Sequence, residues 1–435
     1  MNKQILRIAL PSIVSNVTVP LLSLVDTAIV GHLGAADYIA AVALGGTLFS
    51  TVYWLFGFLR MGTGGLTAQA FGRGEQDAAA RTLVRSLLLG ALVGLCLIAL
   101  QPIVLSAYLK SVEVSADVAR LVRIYVDCLI WGAPAMMMLY GLSGWFLGMQ
   151  NARFPMVVAI VQNVVNVAAS LGLVVGLGWK VEGVACGTLV AQYSGVALAL
   201  VLLRMRYGKL FTRQSLRGVM QRAHLMEFFR INRDIFLRTF LLVAVTLCFT
   251  VFGTQLGQLA LAANAILMQF FLFFSYIMDG FAYAGEALGG RFVGEGNRTD
   301  FLRLARRLIL VGVGFALAFG VAYLLFGDAI LRLLTNQQAV VDQATELLPF
   351  IAVVPLAGFA AFVFDGLFVG ATASREMLLS MLVAAVAFFA CHAVAPRSAA
   401  WLWGAFILYL ALRGAVQATM LRGILRRKIG GSSLG

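Results

Sequence analysis

The chain cannot fold as a water-soluble globule, because it is divided into twelve apolar runs with its charges gathered between them. A helix needs roughly 20 apolar residues to cross the hydrocarbon core of a bilayer, and inside it every backbone polar group must find a partner within the segment. The runs fall near 8–33, 38–61, 83–105, 119–149, 155–177, 183–203, 235–256, 259–285, 308–326, 344–370, 377–394 and 401–421. Charged residues make up 12% of the chain, where soluble domains carry about 25%. A spanning strand would alternate in polarity over about ten residues, and these runs do not. The expected fold class is an all-α integral membrane protein with twelve transmembrane helices.

The loops set the orientation. With the N-terminus placed in the cytoplasm, Lys110, Arg120, Arg123, Lys180, Arg332 and Arg397 fall outside, Arg413 lies mid-span, and the rest of the 33 Lys and Arg residues fall inside. This is the positive-inside asymmetry, and it puts both termini in the cytoplasm of a bacterial-type inner membrane. A net charge of +14 then points to the anionic lipid surface rather than to nucleic acid. The first run is too long for a signal-peptide core, and no small-residue cleavage site stands out. The five cysteines sit in apolar runs at no metal-ligand spacing and are expected to be free thiols. No HExxH, P-loop or dinucleotide motif occurs, so no metal and no cofactor is expected.

The sequence also repeats. At an offset of 223, Leu33-Gly34 matches Leu256-Gly257, Gly57-Phe58 matches Gly280-Phe281, and Gly62 matches Gly285. After a one-residue slip, Gly72 and Gly74 match Gly294 and Gly296, Arg81 and Arg85 match Arg303 and Arg307, and Gly148 and Arg153 match Gly370 and Arg375. Two six-helix lobes, 1–203 and 234–435, joined by a basic cytoplasmic segment 204–233, should be related by a pseudo-two-fold axis along the membrane normal, with a cavity between them. The charges do not repeat: Asp26 corresponds to Phe249, Asp365 to Ser143 and Asp279 to Phe56.

Asp26 is the acid that most demands an explanation. It lies about 10 Å below the outer end of the first run at 1.5 Å per residue, where a charge is expensive and functional by default. Ser12, Asn16, Ser23 and Thr27 share its helical face. Pro11 and Pro20 each remove a backbone hydrogen bond from that helix. A polar stripe on a bendable helix suits a cavity wall.

Three stretches carry a resemblance to a known family: 263–296 (ANAILMQFFLFFSYIMDGFAYAGEALGGRFVGEG), 230–238 (RINRDIFLR) and 364–377 (FDGLFVGATASREM). They resemble the DinF branch of the multidrug and toxic compound extrusion (MATE) transporters, and the opening PSIVSNVTVPLLSLVDTAIVGHLG looks like that family's first helix. The resemblance implies a secondary transporter of the MATE/MOP-type fold, not an enzyme. It would export amphipathic, often cationic organic compounds by alternating access, driven by protons, with sodium as the other candidate ion. By position, Asp26 matches the family's coupling acid and Pro11 the proline near which the first helix bends. Asn166, Thr188 and Tyr125 match residues of the same pocket. Ser170 stands where a second acid would be, which puts a two-carboxylate site in doubt.

Further expectations follow from the residues. Asp127, at much the depth of Asp26, is a candidate for the missing acid, since neighbouring carboxylates in a dry pocket cannot both ionise cheaply. Gln162, Asn163, Tyr140, Met268, Gln269, Phe270, Phe274 and Asp365 are the candidate substrate contacts, because soft aromatic and Met-rich walls suit apolar ligands. Arg413 is expected to pair with Asp365 or Asp279. Gly141-Leu142-Ser143-Gly144 matches the GxSG of intramembrane serine proteases, so such an enzyme using Ser143 is a distant alternative, on a pattern that also arises by chance in a chain with 45 glycines. The alternative within transporters is a lipid or lipid-linked-sugar flippase, whose headgroup cavity would need several intramembrane basic residues. The protein is expected to act as a monomer among membrane lipids.

Overall fold

Apolar runs of this length satisfy their amides locally, so they close into helices. The computed structural model of the chain describes residues 1–31, 36–212, 215, 217–394 and 398–429, without the side chains of 19–24. Its helices are α1 (Asn2–Gly31), α2 (Ala36–Leu55), α3 (Phe58–Gly72), α4 (Gln76–Val112), α5 (Ala116–Leu129), α6 (Ala133–Gly148), α7 (Arg153–Leu171), α8 (Val181–Tyr207), α9 (Arg222–Thr254), α10 (Gln258–Gly294), α11 (Arg298–Leu334), α12 (Gln338–Gly370), α13 (Ser374–Val394) and α14 (Ala399–Lys428). Among the described residues there is no strand, and eleven helical stretches are long and apolar enough to cross a membrane. Helices α2 and α3 share one of these stretches, as do α5 and α6. The 30-residue α1 supplies the twelfth expected run.

The break between α5 and α6 has a local cause. Pro134 has no amide hydrogen, so the Ile130 carbonyl takes the Ala133 N–H in a tight turn at Ile130–Gly132. Helix α1, by contrast, runs unbroken as secondary structure past Pro11 and Pro20. The Pro20 side chain lies outside the described residues, as do His32, Leu33 and Gly34.

The described residues sort into two compact units, one of residues 14–228 and one of residues 1–13 with 229–435. Helix α1 therefore gives its first thirteen residues to the unit that holds the second half of the chain. There the Ala9 carbonyl and the Ile13 side chain lie 2.9 and 2.3 Å from where a Cβ on Gly280 would stand, so this seat fits only glycine.

The two units repeat in detail. A Cβ on Gly144 would meet the Arg60 carbonyl at 2.1 Å, and one on Gly366 would meet the Ala282 carbonyl at the same distance. Gly148 and Gly370 likewise press on the carbonyls of Gly64 and Glu286. In each unit two helices cross backbone to backbone at these glycines. The turns match too. Gly74 and Gly296 have φ of 73° and 69°, and Gln150 and Thr372 have φ of 63° and 50°. Each closes a helix with a bond back to its last turn: Glu75 N to Ala70 O, Asn297 N to Phe292 O, Asn151 N to Phe146 O and Ala373 N to Phe368 O, all at 2.8–2.9 Å.

The 204–233 segment is helical at both ends, since α8 reaches Tyr207 and α9 starts at Arg222. Between them, carbonyls are held by α4: Arg85 donates from Nε to Val219 O at 2.6 Å and from Nη2 to Gly218 O at 3.2 Å, and Arg81 donates to Ser215 O at 3.2 Å.

Candidate functional site

In the unit of residues 14–228, α1 carries Asp26, α7 carries Asn166 and Ser170, α8 carries Thr188 and α5 carries Tyr125. All five are buried. Small residues bring the helices close enough. Gly187 faces Ser170, whose Oγ stands 2.2 Å from where a Cβ would be, and Gly45 admits the Tyr125 ring at 2.4 Å. Asn166 Nδ2 donates to Thr188 Oγ1 at 2.8 Å. Thr188 Oγ1 donates to the Val184 carbonyl at 3.1 Å and faces Asp26 Oδ2 at 3.4 Å. Its single proton cannot serve both acceptors fully. The Tyr125 phenol lies within electrostatic range of Asp26, and Tyr53 lies within range of Tyr125, Tyr140 and Gln192.

Asp26 is 6% exposed, and its Oδ1, like Ser170 Oγ and Asn166 Oδ1, has no hydrogen-bond partner among the described residues. A dry carboxylate with one long donor and one orphaned oxygen is poorly compensated as an anion. A bound proton or cation relieves it. The structure places Asp26, Asn166, Thr188 and Tyr125 in one buried group, with Ser170 against Gly187 beside it.

It does not bring Asp127 to them. Asp127 is exposed, and its Oδ1 accepts from Gln101 Nε2 at 2.7 Å. The reason is angular: Asp127 is two residues from buried Tyr125, so about 200° round the helix at 100° per residue, and equal depth does not mean an equal face. Pro11 lies in the other unit, one residue before Ser12, whose hydroxyl donates to the Ile8 carbonyl at 2.8 Å.

The expected substrate contacts scatter. Asn163 Nδ2 donates to the Thr18 carbonyl at 3.1 Å, gluing α7 to α1, and Gln162 packs on Gly195. Phe270 and Phe274 are buried among Tyr323, Phe319 and Phe362. They are helix-packing side chains rather than an open wall, while Met268 is half-buried beside that core and Gln269 is exposed.

The second charge centre lies in the unit of residues 1–13 and 229–435. Asp365 on α12 is 5% exposed. Its Oδ2 accepts from both Arg238 on α9 and Arg413 on α14, and its Oδ1 accepts from Gln417 Nε2 at 2.6 Å. Of the two acids open to Arg413, the chain uses Asp365. Arg238 was not foreseen. It closes the basic run 222–238 near the start of the 235–256 span, where it counts as one more cytoplasmic-side charge, but it lies within α9 and is 7% exposed. The available signal was Asp365 itself, since a buried acid with three donors asks for a partner on every neighbouring helix.

An all-helical bundle of about twelve apolar spans with acids buried inside it defines a multi-pass membrane protein. The MatE family model matches residues 11–171 and 235–394, one match per repeat, and the chain belongs to that family of secondary transporters. It is 38% identical over 433 residues to DNA damage-inducible protein F of Escherichia coli K12, covering 97% of this chain and 92% of that one. It is 22% identical to a probable multidrug resistance protein NorM of Thermotoga maritima, over 78% of this chain and 74% of the relative. The fold matches a crystal structure of a MATE protein in the bent conformation with a TM-score of 0.89 at 18% identity, covering 99% and 97% of the chains. It also matches the bent form of a Vibrio cholerae MATE transporter at 0.83 and 18%, covering 98% and 97%. Membership in this family removes the serine-protease reading of Ser143.

Proposed function

We propose that the protein is a cation-coupled antiporter, driven by protons, that exports amphipathic organic compounds across the inner membrane with both termini in the cytoplasm. The multidrug names of its relatives agree with such cargo. The observation that carries the coupling is the Asp26 group: a buried carboxyl with one 3.4 Å donor and an orphaned Oδ1. Protonation removes the uncompensated charge. Helix α1 then bends near Pro11 and Pro20, where backbone hydrogen bonds are already missing, and the substrate leaves. Substrate binding favours the ionised form, so the two ligands affect each other reciprocally. With Ser170 in the place of a second acid, the site has one titrating carboxyl, which favours a proton over sodium. Transport in proteoliposomes under an imposed pH gradient or an imposed sodium gradient tests this. Export with the pH gradient alone is expected, and export with sodium alone would overturn the choice of ion.

A flippase reading gains one observation: Arg238 joins Arg413 as a second buried basic residue. The same proteoliposomes, assayed for fluorescent phospholipid scrambling or flipping, separate it from efflux.

A further inference from the structure

The Asp365 centre is overbuilt for a structural ion pair. Removing two opposite charges from water is barely repaid by their attraction, even in good geometry. Here a second guanidinium is buried on the same oxygen. Arg238 and Arg413 both donate to Asp365 Oδ2, and Gln417 takes Oδ1, so direct pairing leaves two guanidiniums on one carboxylate. The next acid, Asp279, is half-buried on α10 and acts on Arg238 through space. The Nε atoms of both arginines are buried without a hydrogen-bond partner among the described residues, and so is Gln417 Oε1. An unused Nε–H beside a used Nη–H is half of the fork with which arginine grips a carboxylate or phosphate. A packed aromatic cluster adjoins the fork. Phe362 lies under the Arg413 guanidinium at 6.0 Å, and its ring packs on Phe271 and Phe274 at 6.4 and 6.1 Å.

We propose that Arg238 and Arg413 form a receptor for the acidic group, carboxylate or phosphate, of an amphipathic compound with an apolar or aromatic body, and that Asp365 is its internal placeholder. The ligand's oxygens take the free Nε–H donors and displace Asp365 from shared Nη–H donors. Gln417 stays with Asp365 and accepts a donor through its free Oε1. The charges then balance, with two guanidiniums against two acids. This extends the transport reading to the chemistry of the cargo, but it does not depend on coupling at Asp26.

The test is equilibrium binding to purified protein in phosphatidylcholine nanodiscs, so its outcome is separate from that of any gradient-driven assay. The probes are 2-naphthoate, its cationic counterpart 2-naphthylmethylammonium, and short-chain phosphatidate. Arg238→Gln and Arg413→Gln should each weaken naphthoate at least tenfold and leave the ammonium probe unchanged. Asp365→Asn keeps an acceptor oxygen but removes the competing charge, so it should tighten naphthoate several-fold. A purely structural pair would not yield that gain. Where a Gln variant does not give monodisperse protein, Arg238→Lys and Arg413→Lys keep the charge without the fork and should show an intermediate loss. If phosphatidate binds more tightly than naphthoate with the same response to the variants, the proposal holds and the acid belongs to a lipid headgroup. Equal binding of the naphthoate and ammonium probes overturns it, as does a weakening of naphthoate by Asp365→Asn in step with the arginine variants.

Discussion

The two units are built on one plan and treat their buried acids in opposite ways. In residues 14–228 the acid sits on the first helix with one 3.4 Å donor. In the other unit the repeat-related position is Phe249, packed on Trp403 and Phe406 at 4.9 and 5.3 Å. There one of three buried acids, with Asp234 and Glu286, stands instead on α12 at Asp365, where the first repeat has Ser143, and three donors saturate it. The glycine crossings are shared and the charges are not. A scaffold held by backbone contact can therefore host a carboxyl with one long donor in one copy and a carboxyl with three donors in the other.

The contrast breaks most visibly at Asp26. Asp26→Asn mimics the neutral form permanently, so gradient-driven efflux should fall to the level of protein-free liposomes while folded yield is kept. Export that persists against a gradient with unchanged pH dependence would place the coupling group elsewhere. Arg413→Ala should do the reverse: it opens a saturated buried network, at about 3–5 kcal/mol. Melting followed by size-exclusion chromatography should show the loss, with the pH dependence of transport by the surviving protein unchanged. The shared scaffold is tested by Gly144→Ala and Gly366→Ala, each pressing a methyl on a carbonyl 2.1 Å away. Both should destabilise by roughly 1–3 kcal/mol, and by similar amounts; a large inequality would mean that the crossings are not equivalent. Thr188→Val removes the 3.4 Å donor that faces Asp26 and should move the pH profile of efflux to the alkaline side by about one unit or less. Asp127→Asn should change stability by about 0.5 kcal/mol or less and leave efflux alone. Loss of coupling in that variant would return Asp127 to the site.

What could be read from the sequence follows the same division. The spans were legible because twenty apolar residues have few other uses, and the repeat because glycines at helix crossings and left-handed turns, such as Gly74 and Gly296, leave no choice of side chain. The Asp26 group was legible through family position, not through chemistry: nothing in the spacing of Asn166 and Thr188 shows that they meet. Asp127 misled because depth along a helix was used without its angle. Arg238 was missed because, at the cytoplasmic end of its run, it counts as one more inside charge, and the sequence does not show which neighbours its side chain meets. Phe270 and Phe274 share a face at i and i+4, but whether that face meets a cavity or another helix is settled by packing.

The seat of Ala9 and Ile13 on Gly280 has a consequence for how the molecule is made. Ala9 and Ile13 leave the ribosome well before their neighbour Gly280, which is translated some 270 positions later. Until α10 arrives, the start of α1 has no permanent place. A gene split in the interval between the repeats would yield a second fragment with an empty groove along Gly280. Co-expressing the two pieces should then rescue it only when the first piece keeps its opening thirteen residues.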